Sequence, residues 1–71
     1  MTDKEWKELC DWVKSLNDNY RITVLSDTVI RFYGCSKNLE FYSNGEIWCD
    51  CECLIGLRTA KQIKAIIESL L

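Results

Sequence analysis

The chain has 71 residues, no histidine, no proline, five cysteines and a formal net charge of −2. That length makes a single domain, residues 1–71, near the lower limit for a fold held by a hydrophobic core alone. Its 48% hydrophobic and 28% charged content is that of a globular protein. Without histidine there is no Ser-His-Asp triad, no Cys-His pair and no zinc site with an imidazole ligand. A pI near 5.0 argues against a protein that binds nucleic acid by neutralising phosphates.

The first predicted element is a helix. Thr2 and Glu5 have the spacing of a capping box, in which each side chain satisfies the other's backbone amide. Trp6, Leu9, Cys10, Val13 and Leu16 recur at helical intervals and share one face, with Trp12 at its edge and half exposed. Asn17-Asp18-Asn19 is expected to end the helix, because these side chains compete for backbone hydrogen bonds.

Four strands follow. Tyr20–Leu25 and Val29–Tyr33 are rich in β-branched and aromatic residues and flank Ser26-Asp27-Thr28. Leu39–Tyr42 and Glu46–Leu54 flank Ser43-Asn44-Gly45, the strongest turn signal in the chain. A two-residue Asn44-Gly45 loop would pair Phe41 with Trp48 and split the apolar set between two faces. A three-residue loop, with Gly45 left-handed, pairs Phe41 with Ile47 and Leu39 with Cys49, which unites that set. The same reasoning gives the first hairpin a three-residue Ser26-Asp27-Thr28 loop. One sheet face then carries Ile22, Val24, Ile30, Phe32, Leu39, Phe41, Ile47, Cys49, Cys51 and Cys53. The other carries Arg21, Thr23, Arg31, Tyr33, Glu40, Tyr42, Trp48, Asp50 and Glu52. Gly34 to Asn38 joins the two hairpins.

The last element is a helix that begins after Gly56. Thr59 and Gln62 repeat the capping-box spacing, and Ile63, Ile66, Ile67 and Leu70 form an apolar stripe. The order α-β-β-β-β-α predicts an α+β two-layer sandwich: a four-stranded antiparallel sheet with the N- and C-terminal helices on one face.

The string Cys49-Asp50-Cys51-Glu52-Cys53 invites a metal or redox reading. In a flat strand, residues i and i+2 lie about 6.6–6.8 Å apart, whereas sulfurs on tetrahedral zinc must approach to about 3.8 Å. Consecutive cysteines of one strand therefore cannot chelate one metal, and a disulfide between them is disfavoured for the same reason. Cys49, Cys51 and Cys53 read first as small core residues, with a thiol-metal or redox site on that strand as the alternative; no cofactor is expected. Cys35, beside Gly34, is expected to be the exposed thiol. The odd cysteine count, and the run from Met1 straight into Thr2-Asp3-Lys4-Glu5 without an apolar leader, predict free thiols in a reducing cytoplasm. The apolar stretches are too short to span a membrane.

No catalytic motif is present: there is no glycine-rich phosphate loop and no nucleophile elbow. Asp50 and Glu52 would share a strand face, but a chain this short has little volume left for a substrate cavity. The expectation is a protein that is not an enzyme. Tyr33, Tyr42 and Trp48, interleaved with Arg21 and Arg31, are placed on the sheet face away from the helices, and with Arg31, Glu40, Asp50 and Glu52 they are the candidate partner-binding residues. Such an array suits a protein interface, since Tyr, Trp and Arg dominate binding hot spots; cross-strand pairing that merely stiffens the sheet explains it equally well. Single-stranded nucleic-acid binding on the same face is a weaker alternative, opposed by Glu40, Asp50 and Glu52. Self-association through exposed Tyr42 and Trp48 is a further reading. From Asn38 to Gly56 there are four acids and no base, a charge distribution that would steer the chain toward a basic partner, including a nucleic-acid-binding protein. In size, charge and element order the chain resembles inhibitors encoded by phages and mobile elements, anti-CRISPR proteins among them. The resemblance implies a protein that occupies a basic partner surface, and it assigns no residues.

Overall fold

A computed structural model of the chain describes residues 1–16, 21–34, 36–50 and 52–71. Among these are a helix α1 (Asp3–Ser15), strands β1 (Ile22–Ser26), β2 (Val29–Tyr33), β3 (Asn38–Tyr42), β4 (Ile47–Cys49) and β5 (Glu52–Ile55), and a helix α2 (Ala60–Leu70). The strands form one antiparallel meander in the order β1-β2-β3-β4-β5, and both helices pack on the same side of it. The expected α+β sandwich is present, with five strands in place of four.

Both helices start as their sequences dictate. In each, the threonine side chain accepts from the amide three residues on, and the side chain of Glu5 or Gln62 accepts from the cap amide in return. Helix α1 is also tied to the first hairpin, because the Trp6 indole Nε1–H donates to the Asp27 carbonyl at 2.7 Å. Helix α1 ends with a cap at Leu16; the expected stop at Asn17-Asp18-Asn19, Tyr20 of the expected first strand, and Cys35 and Cys51 lie outside the described residues. Between the helices, the Lys64 ammonium sits 5.0 Å from the centre of the half-buried Trp12 ring.

The core is the layer where both helical stripes meet the sheet. Trp6, Leu9, Cys10 and Val13 of α1 and Ile63 and Ile67 of α2 pack with Ile22, Ile30, Phe32, Phe41 and Ile47. Ile30, Phe41, Ile63 and Ile67 are fully buried, each worth about 1.5–3 kcal/mol of transfer free energy. Two cross-strand rows supply the inner face: Ile22-Phe32-Leu39-Cys49-Glu52 and Val24-Ile30-Phe41-Ile47-Ile55. Among the described residues no helix is long and apolar enough to cross a membrane.

The expected strand Glu46–Leu54 is not continuous. It would overrun the five-residue β3 and leave its far half unpaired. Instead the backbone reverses at Asp50, whose φ of 49° is a left-handed conformation that a short polar side chain tolerates. Beyond the turn, β5 pairs back on β4, with Trp48 opposite Cys53 and Cys49 opposite Glu52. The reversal moves Cys53 from its expected inner position to the outer face, and the bulge at Leu54 brings Ile55 back to the inner face opposite Ile47. The reversal also moves Glu52 from the outer face to the inner side.

Both edge strands are bulged. The register of β1 on β2 shifts between Val24 and Ser26, so the expected three-residue loop becomes Asp27-Thr28 with Leu25 bulged out. On β5, Leu54 is the extra residue. Leu25 and Leu54 are both exposed. Bulges at sheet edges, and an inward-facing charge such as Glu52, are devices that discourage strand addition.

The β3–β4 connection is the three-residue loop expected. The Gly45 amide donates to the Tyr42 carbonyl, the Tyr42 amide donates to the Glu46 carbonyl, and Gly45 has φ 92°. Its carbonyl also accepts from the Arg58 amide at 3.0 Å, fastening the turn to the segment that leads into α2. A Cβ at position 45 would lie 2.5 Å from the Arg58 carbonyl oxygen and 2.9 Å from its amide nitrogen. Gly45→Ala should therefore lower stability by about 2 kcal/mol or more in urea unfolding. Gly56→Ala, where an added Cβ meets nothing within 4 Å, should change it by less than about 1 kcal/mol.

The Thr2 amide and hydroxyl hold the exposed Glu5 carboxyl below its ordinary pKa of 4.5. With the folded pKa depressed, the contribution of this cap is present above pH 4.5 and disappears as the pH falls through the folded value. Acid titration of thermal stability should show a loss below pH 4.5 that is smaller in Glu5→Gln.

Candidate protein-binding face

The side of the sheet away from the helices carries one continuous cross-strand row, Thr23-Arg31-Glu40-Trp48-Cys53, with one residue from each strand. At about 4.8 Å per strand spacing it is roughly 19 Å long. Tyr33 lies two residues beyond Arg31 on the same face, and Tyr42 two beyond Glu40. Sheet alternation thus brings together five of the expected binding residues, Tyr33, Tyr42, Trp48, Arg31 and Glu40. The other two are displaced by the β4–β5 turn: Asp50 is exposed at its tip, and Glu52 ends an inner row.

Several polar groups of this face pair with one another, but the Arg31 Nε is buried without a hydrogen-bond partner among the described residues. Arg31 Nη2 lies 3.7 Å from Glu40 Oε2, and the Arg31 guanidinium lies 5.7 Å from the centre of the Tyr33 ring. The two side chains are half-buried and at this distance make no hydrogen bond, so the pair is worth at most about 1 kcal/mol. Tyr42 and Trp48 meet with ring centres 5.8 Å apart and planes tilted by 58°, a favourable edge-to-face geometry. Both are half-buried.

Glu46 is the residue that sequence reasoning missed. One carboxylate oxygen accepts from the Trp48 indole Nε1–H at 2.6 Å and from the Cys53 thiol at 3.6 Å. The other accepts from the Asn44 side-chain amide at 2.8 Å, and the Asn44 side chain in turn accepts from the Glu46 amide. The available signal was local: Asn44, Glu46 and Trp48 are successive second neighbours in a hairpin, which places them on one side.

The thiols do not converge. Among the described residues Cys10, Cys49 and Cys53 are free. Cys49 is buried on the inner face and Cys53 is exposed on the outer one, so the single thiol-bearing strand behind the metal and redox alternative is replaced by a turn. Among the described residues no group of three or more Cys, Asp or Glu side chains is placed to hold a metal ion. Partial desolvation by neighbouring atoms pushes both thiols above their ordinary pKa, with Asp50 adding to the effect at Cys49 and Glu46 at Cys53. Cys10 is raised by burial as well. It borders an open groove of about 440 Å³ between α1 and the first hairpin. The groove rim alternates Asp3, Asp11 and Asp27 with Lys7 and Lys14, so it selects neither sign of charge strongly.

No protein-family model, curated protein or solved structure matches the chain significantly.

A raised pKa leaves less thiolate at neutral pH, and the thiolate is the reactive form. Cys53 should therefore alkylate with iodoacetamide at pH 7 more slowly than free cysteine despite its exposure, and Glu46→Gln should speed it. Peptide mapping by mass spectrometry checks both rates.

Proposed function

We propose that this chain is a small, non-enzymatic protein-binding module of the cytoplasm that docks its outer sheet face on a basic partner. The observation that carries the reading is the row Arg31-Glu40-Trp48 with Tyr33 and Tyr42 beside it, on the sheet face that neither α1 nor α2 covers. Tyr, Trp and Arg are the residues that supply most interface energy when a partner desolvates them. The bulged edges make strand addition the poorer route to association, which leaves the face. Four acids without a base between Asn38 and Gly56 favour a basic partner, such as the surface of a nucleic-acid-binding protein, and disfavour phosphate. An inhibitor of the kind that phages and mobile elements encode would act in this way, by occupation alone.

Trp48→Ala removes the central ring and leaves the core untouched. Captured from lysate of the native host, a partner of the wild-type chain should bind this variant at least about tenfold more weakly, while circular dichroism stays unchanged. Equal capture by both chains would remove the outer face from consideration.

A further inference from the structure

The polar handles of the aromatic pair restrict what a partner can offer it. The only donor on the Trp48 ring is already committed to Glu46, so the partner meets the face of the indole. The Glu46 carboxylate stands at the edge of that ring, and its side-chain donors (an indole, an amide and a thiol) are all neutral. None of these donors brings a positive charge to Glu46, which stands beside two tilted rings, whereas Glu40 has its charge offset by Arg31. An electron-rich ring face with a carboxylate at its edge attracts a cation, and a planar guanidinium can stack on the ring while donating to the carboxylate.

Building on the docking face proposed above, we infer that Tyr42, Trp48 and Glu46 form the seat for an arginine side chain of the protein partner. The guanidinium stacks on the aromatic corner and pairs with Glu46. Trp48 supplies the surface, Glu46 supplies the charge and fixes the ring, and Asn44 holds Glu46 in place. The acidic stretch around the corner, free of lysine and arginine from Asn38 to Gly56, leaves the seat without a competing cation from its own strands.

The test is an NMR titration of the full chain, labelled at its three tryptophan indoles, with a blocked oligo-arginine peptide. Oligo-lysine and oligo-glutamate of equal length serve as comparators. The expected result is a saturable shift of the Trp48 indole N–H with oligo-arginine, with Trp6 and Trp12 unmoved. Glu46→Gln keeps an oxygen acceptor for the indole but removes the charge, and should weaken binding at least about tenfold. An undisturbed amide spectrum of that variant shows that the fold survives. No shift of Trp48, equal binding of oligo-lysine, or indifference to Glu46→Gln would each overturn the arginine seat. If the seat fails while partner capture still depends on Trp48, the docking face stands without it. If oligo-arginine binds as expected while capture ignores Trp48, the docking face falls instead.

Discussion

The pairing register of β3 on β4 is the constraint on which the rest of the molecule depends. Side chains alternate across a sheet with a period of two, so a slip of one residue exchanges the two faces of a strand. With Phe41 opposite Ile47 and Leu39 opposite Cys49, the inner face is apolar throughout and can receive both helices. The same register puts Glu40 beside Trp48, and Tyr42 with them, on the other side. Core and candidate site are two consequences of one choice, and Gly45 enforces it. Only a glycine combines the positive φ with the close approach of the Arg58 backbone.

Helices α1 and α2 cover only one side of the sheet. Both amphipathic stripes are spent on the inner face, so the outer one must be tolerated in water or covered by a partner. The outer residues suit both conditions only in part. Glu46 satisfies the Trp48 indole nitrogen and Glu40 offsets the charge of Arg31, but the Arg31 Nε is buried without a hydrogen-bond partner among the described residues. The ring faces remain as apolar surface. The edges are treated differently. Leu25 and Leu54 bulge outward, and Glu52 faces inward at the end of its row, which together discourage continuation of the ladder. The β4–β5 turn adds the fifth strand that lengthens the outer row to Cys53.

Much of this was legible in the amino-acid order because local and long-range signals agree. Both capping boxes, the apolar stripes of both helices and the Gly45 hairpin follow from residue type at fixed spacing, and the register follows from uniting the apolar residues. The outer positions of Tyr33, Tyr42, Trp48, Arg31 and Glu40 come with that register. The break at Asp50 was hidden because Cys49, Cys51 and Cys53 alternate with acids, a pattern that reads equally well as one strand or as two strands joined by a turn. What decides between them is the length of β3, a long-range fact. The bulges at Leu25 and Leu54 were hidden for a related reason: each is set by what its neighbour strand lacks. The role of Glu46 depends on side-chain directions at a turn, which periodicity does not encode.

The central claim, that one register creates both the core and the outer face, is tested most directly by cross-strand nuclear Overhauser effects between α-protons of β3 and β4. The account predicts close contacts for Phe41 with Ile47 and for Leu39 with Cys49. A contact of Phe41 with Trp48 in their place would mean a two-residue turn and reversed faces on β4, and would contradict both the core and the site described above.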